Sequence, residues 1–209
     1  GSIQSITFEA GSRLTSIQAH GLEGMTNLRT LNLGDAKLTN IDNYAFRYCS
    51  ELATLNIPET LTNIGRFAFY KCRALGDLRL PAAMEHIGSN AFYGTESCNL
   101  YFASETLPLY LDENWDNGLN GYYTGVQDVV TDGDWSYAVQ TNGKIAIVRY
   151  DGTDTELDLT NLPFGEVETI GGYAFRRKGL TSIVLPETLT QIQRYAFADN
   201  REQIGRAHV

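Results

Sequence analysis

Cysteine, histidine, positive charge and long apolar runs are all scarce in this chain, and each scarcity removes a class of function. Three cysteines in 209 residues, Cys49, Cys72 and Cys98, are odd in number and too few for a disulfide framework, so pairing arithmetic does not apply. The three histidines, His20, His86 and His208, share no metal-ligand spacing. No Ser/His/Asp or Cys/His arrangement emerges from spacing, so no catalytic set, metal or cofactor is expected. Sixteen Lys and Arg stand against 25 Asp and Glu, a net charge of −9. That balance disfavours nucleic acid, which needs a basic stripe, and an anionic membrane surface. No apolar run reaches the length of a membrane-spanning helix.

What the chain does have is a repeat. Ala-Phe recurs at Ala45-Phe46, Ala68-Phe69 and Ala91-Phe92, in steps of 23 residues, and again at Ala174-Phe175 and Ala196-Phe197, 22 apart. A period of this size marks a stacked repeat protein. One unit reads Leu38, Ile41, Ala45, Phe46, Cys49, Leu52, Leu55, Ile57, Pro58; the next reads Leu61, Ile64, Ala68, Phe69, Cys72, Leu75, Leu78, Leu80, Pro81. A single unit cannot close a core, but stacked copies place like on like in one apolar spine. The end of each unit alternates as a short half-buried strand does, and Pro58 or Pro81, lacking the ladder donor, ends it. Successive strands are expected to run parallel at about 4.8 Å. Leu-x-x-Ile makes a second short extended piece, and Arg66 to Cys72 is expected to form a tight helical turn.

The pattern Leu-Thr-x-Ile-x-x-x-Ala-Phe-x-x-Cys-x-x-Leu-x-x-Leu-x-Ile-Pro resembles the BspA-like leucine-rich repeat; Leu38–Pro58 and Leu61–Pro81 match nearly every position. Val167–Pro186 carries Lys178 at the Cys position and keeps the rest. The resemblance implies a β-rich leucine-rich-repeat solenoid of the α/β class, with short parallel strands and short helical turns. It further implies a non-catalytic protein displayed outside the cell or at its surface, in bacterial anaerobes or some parasitic protists, often in adhesion. Its partner would be a protein or glycan on a host or neighbouring cell; a structural spacer arm carrying another domain is the alternative.

The period lapses for about eighty residues between Phe92 and Ala174. Residues 1–111 are expected to be a first array and its end, with 112–133 as exit segment and linker. Two β-rich runs flank Thr141-Asn142-Gly143, a hairpin signal, so 134–165 is expected to be a β-hairpin cap that covers the first repeat of a second array, 166–202. Asp112 to Gly118 resembles the opening of a calcium loop, but its glycine comes one residue late and Tyr123 stands where the closing Glu belongs. A polar turn is the plainer reading, with calcium as the alternative.

Cys49 and Cys72 share a repeat slot, and all three cysteines read as buried thiols acting as small hydrophobes, with a Cys49–Cys72 disulfide as the alternative. His20 precedes Gly21-Leu22 where Tyr44 and Phe67 fall in later units, and it reads as a surface residue, as does His86. The candidate binding residues are the outward strand positions Thr54, Asn56, Asp77, Arg79, Asn99 and Tyr101. Thr30 and Asn32 would extend this row at one end, and Ser182 with Val184 would begin the row of the second array. Any solvated strand could carry such Thr and Asn. Tyr70 and Tyr93 follow the Ala-Phe pair on the turn side, either as recognition aromatics or as packing.

The chain begins with Gly rather than Met, and its start is expected to be a cut. Gln203-Ile204-Gly205-Arg206-Ala207-His208-Val209 breaks the repeat and can be spelled CAG ATC GGA AGA GCA CAC GTC. This string resembles a sequencing adapter, so the tail 203–209 is expected to be non-native.

Overall fold

The computed structural model describes residues 3–9, 11–34, 36–95 and 98–200; the tail 203–209 lies outside the described residues. The chain divides into two compact units, Gly1–Gly125 and Val126–Val209.

The first unit is a stack of rungs, each contributing two short strands. With strands numbered in chain order, one row comprises β1 (Ser5–Thr7), β3 (Thr30–Asn32), β5 (Thr54–Asn56), β7 (Leu78–Leu80), β9 (Asn99–Phe102) and β11 (Gly121–Tyr123). The other comprises β2 (Ser16–Ile17), β4 (Asn40–Ile41), β6 (Asn63–Ile64), β8 (His86–Ile87) and β10 (Tyr110–Leu111). The even row is one parallel five-stranded sheet, while the odd row forms two parallel three-stranded sheets, β1-β3-β5 and β7-β9-β11. Register follows the repeat: Ile41 pairs with Ile64 and Ile64 with Ile87. Equal positions in the sequence thus meet across the ladder.

The expected helical turn at Arg66–Cys72 is not helical, and the described residues contain no helix. Backbone donors alternate between two destinations. Ala68, Tyr70 and Cys72 donate three residues back within the rung, to Gly65, Phe67 and Phe69, at 3.1–3.3 Å. Phe67, Phe69 and Lys71 donate instead to Ser89, Ala91 and Tyr93 of the next rung, at 2.7–3.1 Å. A helix would need all of them within the rung; the stack takes half of them sideways. The geometry is two type II turns in series, whose third residue must have positive φ. Phe67 (53°) and Lys71 (58°) hold those places, as do Tyr44 (60°) and Tyr48 (63°) one rung earlier.

This backbone points the Phe of each Ala-Phe pair inward. Phe46 and Phe69 stack at 5.1 Å between ring centroids and Phe69 and Phe92 at 5.3 Å, nearly parallel in both cases, and all three are fully buried. Burying each ring contributes about 1.5–3 kcal/mol. The Cys slot beside the rings also carries a hydrogen bond. Cys49 Sγ donates to the Leu22 carbonyl and Cys72 Sγ to the Phe46 carbonyl, each at 3.1 Å. In the second unit Asn200, at the same slot, donates Nδ2 to the Phe175 carbonyl at 2.7 Å. At the same slot Thr95 donates instead to the Gly118 carbonyl of the following rung, at 3.1 Å. All three cysteines are free and buried.

The array does not end at residue 111. Although Ala-Phe is lost, β10 pairs with β8 and β11 pairs with β9, and Asn114 and Gly118 take the positive φ that Asn90 and Gly94 take one rung earlier. Residues 112–125 are thus a further rung, and the segment expected as exit and linker divides at Gly125. Gly118 has φ +96°, and a Cβ there would lie 2.3 Å from the Phe92 carbonyl oxygen. Gly118→Ala is expected to destabilise the unit by about 1–3 kcal/mol through backbone overlap. Gly24→Ala, at φ +73° in open space, should lose about 1 kcal/mol from the left-handed backbone alone. Urea denaturation of the two variants checks the difference.

In the second unit the expected hairpin gains a strand. β12 (Val126–Asp132), β13 (Trp135–Gln140) and β14 (Ile145–Tyr150) form an antiparallel meander, with Gly143 at φ 78° in the turn. The same sheet then continues in parallel from β14 to β16 (Val167–Ile170) and β18 (Gln191–Ile192). Alongside it, β15 (Glu156–Asp158) pairs with β17 (Ser182–Val184). Trp135, Tyr137, Tyr150 and Phe164 cluster at 4.3–5.8 Å and close over Phe175, which stacks on Phe197 at 5.3 Å. The meander thus shields the first Phe of this column from water.

Candidate binding surface

The odd-numbered strands bury alternate residues, Leu31, Leu55 and Leu78, and turn the residues between them outward. Thr30 and Thr54 are register partners, as are Asn32 and Asn56. Asn56 Nδ2 donates to Asn32 Oδ1 at 3.1 Å, and the same oxygen accepts from the Gly34 amide at 3.0 Å. Thr54, Asn56, Asp77 and Arg79 are all exposed.

The row has a break. β5 and β7 are neighbours in the stack but belong to different sheets. At this discontinuity lies a depression of about 240 Å³, lined by Asn56, Ile57, Glu59, Arg79, Tyr101 and Ala103 among others. It sets an amide, a carboxylate, a guanidinium and a phenol around one concavity.

Asn99 and Tyr101 depart from the sequence-based expectation. They continue the row, with Arg79 paired to Tyr101 in register, but they are 7% and 4% exposed. Asp77 explains this. Its carboxylate accepts from the Asn99 amide at 2.9 Å, from Asn99 Nδ2 at 3.0 Å and from the Tyr101 hydroxyl at 2.9 Å. Tyr101 also stacks on Tyr123 of the next rung at 5.4 Å. Burial first, and then the Asp77 charge, push the Tyr101 and Tyr123 phenols well above the usual range. Asp77 therefore braces Asn99 and Tyr101 into a wall, leaving Thr54, Asn56, Asp77 and Arg79 as the exposed members of the row.

The other sequence candidates fall elsewhere. Asp112 accepts from the Ser89 amide and faces His86, each at 3.2 Å, which makes it part of the repeat turn. His86 also meets Asn63 Oδ1 at 2.7 Å, and Asn63 in turn bonds Asn40, so this histidine belongs to a polar ladder across the even-numbered strands. Among the described residues no group of three or more His, Cys, Asp or Glu is placed to hold a metal ion, and no helix is long and apolar enough to cross a membrane. Ser182 and Val184 are exposed on β17.

One cluster was read only in part from the sequence, through Tyr70. On the turn side of the first unit Tyr44 stacks on Phe67 at 5.5 Å and Tyr48 meets Tyr70 edge-on at 5.6 Å. Arg47, Arg66 and Lys71 lie over these rings. Its signal was the aromatic that stands directly before Ala45 and Ala68, a position compared with His20 only to explain the histidine.

A family model for the BspA type leucine rich repeat region matches residues 1–107 and 153–204, in six copies. Among solved structures, a leucine rich repeat protein of T. pallidum is similar at 16% identity, with 92% of this chain and 74% of that one covered and a TM-score of 0.48. A leucine-rich repeat protein from Bacteroides ovatus is similar at 16% identity, with 96% and 65% covered and a TM-score of 0.45. A leucine rich cell surface protein from Faecalibacterium prausnitzii is similar at 17% identity, with 96% and 80% covered and a TM-score of 0.35. No curated protein matches the chain. With most of its length matched, and the matched slots stacked rung on rung, this chain belongs to the BspA-type leucine-rich repeat family.

Proposed function

We propose that this chain is a non-catalytic binding module, displayed outside the cell or at its surface, that presents the strand face of its first unit to a protein or glycan on a host or neighbouring cell. The observation that carries this reading is the depression at the β5–β7 break, which Asn56, Glu59, Arg79 and Tyr101 line together. Repeat scaffolds offer extended faces of this kind to partners. A rigid wall behind an exposed arginine also suits a contact that concentrates binding energy in few residues.

The test is to immobilise the chain and pass extracellular matrix proteins and cell-surface glycans over it. Saturable binding by at least one of them is expected, weakened about tenfold or more by Arg79→Glu with the unfolding midpoint unchanged. Silence across the panel, or binding indifferent to Arg79→Glu, would contradict the proposal and favour a passive spacer arm.

A further inference from the structure

We infer that the turn face of the first unit is a second binding site, built for an extended acidic polysaccharide lying along the stack with one sugar per rung. It stands independently of the strand-face reading. Tyr44, Arg47, Tyr48, Phe67 and Tyr70 line a shallow depression of about 220 Å³. Rings and cations alternate between neighbouring rungs, since Arg47 shares a repeat slot with Tyr70, and Tyr48 shares one with Lys71. The Arg47 guanidinium lies 4.6 Å from the Tyr48 ring centroid and 5.5 Å from that of Tyr44. Arg66 lies 5.3 Å from Phe67, and Lys71 Nζ lies 5.2 Å from Tyr70. Contact with ring faces holds these cations in place electrostatically.

Charge points to an anion. Arg47 has Glu23 at 3.4 Å, but among the described residues no carboxylate pairs with Arg66 or Lys71. Arg66 and Lys71 thus place cationic charge on this face without a paired carboxylate, on a chain whose net charge is −9. Shape and periodicity point to a sugar chain. The rings repeat along the stack at 5.5 Å from Tyr44 to Phe67 and 5.6 Å from Tyr70 to Tyr93. That interval is close to the advance of one pyranose in an extended polysaccharide. The tyrosine hydroxyls can exchange hydrogen bonds with sugar hydroxyls, and Tyr93, 44% exposed, continues the platform. The open depression lacks the deep apolar hole that anchors a peptide side chain. Carboxylate or sulfate groups on the sugars would meet Arg66 and Lys71.

The experiment titrates the whole chain with polygalacturonate and with heparin, using dextran as the neutral control, at low and at physiological salt. Binding to at least one polyanion is expected, weaker at the higher salt, with dextran silent. The double variant Arg66→Gln, Lys71→Gln should weaken it about tenfold or more. Tyr70→Leu, which leaves the charge intact, should weaken it roughly fivefold. Lys144→Gln with Arg149→Gln, an equal loss of charge in the second unit at residues that face carboxylates, should leave it unchanged. Circular dichroism and unfolding midpoints establish that each variant is folded. The inference is overturned if neither polyanion binds, or if the second-unit double variant weakens binding as much as the turn-face one. It is also overturned if polyglutamate or a single-stranded oligonucleotide displaces the polysaccharide with equal or higher affinity.

Discussion

Replacing Phe69 with alanine should lower the unfolding free energy of the first unit by about 3–5 kcal/mol and its midpoint by roughly 12–20 °C. Phe69 is the middle of three stacked rings and is fully buried between Phe46 and Phe92. Its neighbours cannot move into the hole, because every rung is tied to the next by backbone bonds on both sides of the ring, such as Phe69 to Ala91 at 2.7 Å and Phe46 to Ala68 at 2.8 Å. The lost burial and the retained cavity therefore add. The two tryptophans make the measurement specific, since Trp115 lies in the first unit and Trp135 in the second. In a Trp135→Phe background, urea denaturation followed by fluorescence reports the first unit. A loss below about 1 kcal/mol would mean that the ring is not enclosed.

The second large effect is a loss of stability at alkaline pH. Burial, reinforced by the Asp77 charge, pushes the Cys98 thiol well above its ordinary range. The hydrogen bond shared by Cys49 and Cys72 holds Cys49 below the ordinary thiol range and Cys72 above it, so their shifts oppose each other and Cys98 carries the effect. A thiol whose folded pKa is raised stays protonated in the native state, while its unfolded counterpart ionises from about pH 8.5. The stabilisation is fully present below that pH and is lost as pH rises above it. Each such thiol then removes about 1.4 kcal/mol of stability per pH unit. Between pH 9 and 10 Cys98 should remove about 1 kcal/mol, and the buried phenols of Tyr101 and Tyr123 should steepen the fall above about pH 10. Cys98→Val should remove the slope between pH 9 and 10. A stability profile that stays flat from pH 8 to 10 would contradict the buried, protonated Cys98 thiol.

Much of this architecture was legible because the repeat constrains it. Positions one period apart had to meet, so the Phe column, the parallel strands and the outward row followed from aligning Leu38–Pro58 with Leu61–Pro81. The turns were misread as helical because positive φ is ordinarily announced by glycine, whereas here Tyr44, Phe67 and Lys71 adopt it, held by bonds to the next rung that a single unit does not display. The rung at 112–125 was hidden by the loss of Ala-Phe, although Asn114 and Gly118 preserved its backbone. The third cap strand, Val126–Asp132, is largely polar and half exposed, so no alternation marked it.

The binding row was legible in register but not in access. Strand alternation turned Asn99 and Tyr101 outward, yet it could not reveal that Asp77 gathers both and that Tyr123 covers Tyr101. Beyond Tyr70 and Tyr93, the turn-face cluster was missed for a related reason. Arg47 and Tyr70 occupy one slot with opposite chemistry, and a repeat alignment treats such variation as noise, whereas stacking converts it into a cation beside a ring.

The claim beneath the whole account is that equal slots in consecutive rungs touch, and double-mutant cycles test it most directly. Phe46→Leu and Phe69→Leu, and likewise Phe69→Leu and Phe92→Leu, should show coupling of about 0.5 kcal/mol or more, as contacting residues do. Phe46→Leu with Phe92→Leu, separated by the Phe69 ring, should be additive within about 0.3–0.5 kcal/mol. Additivity in both adjacent pairs would contradict the single file of rings.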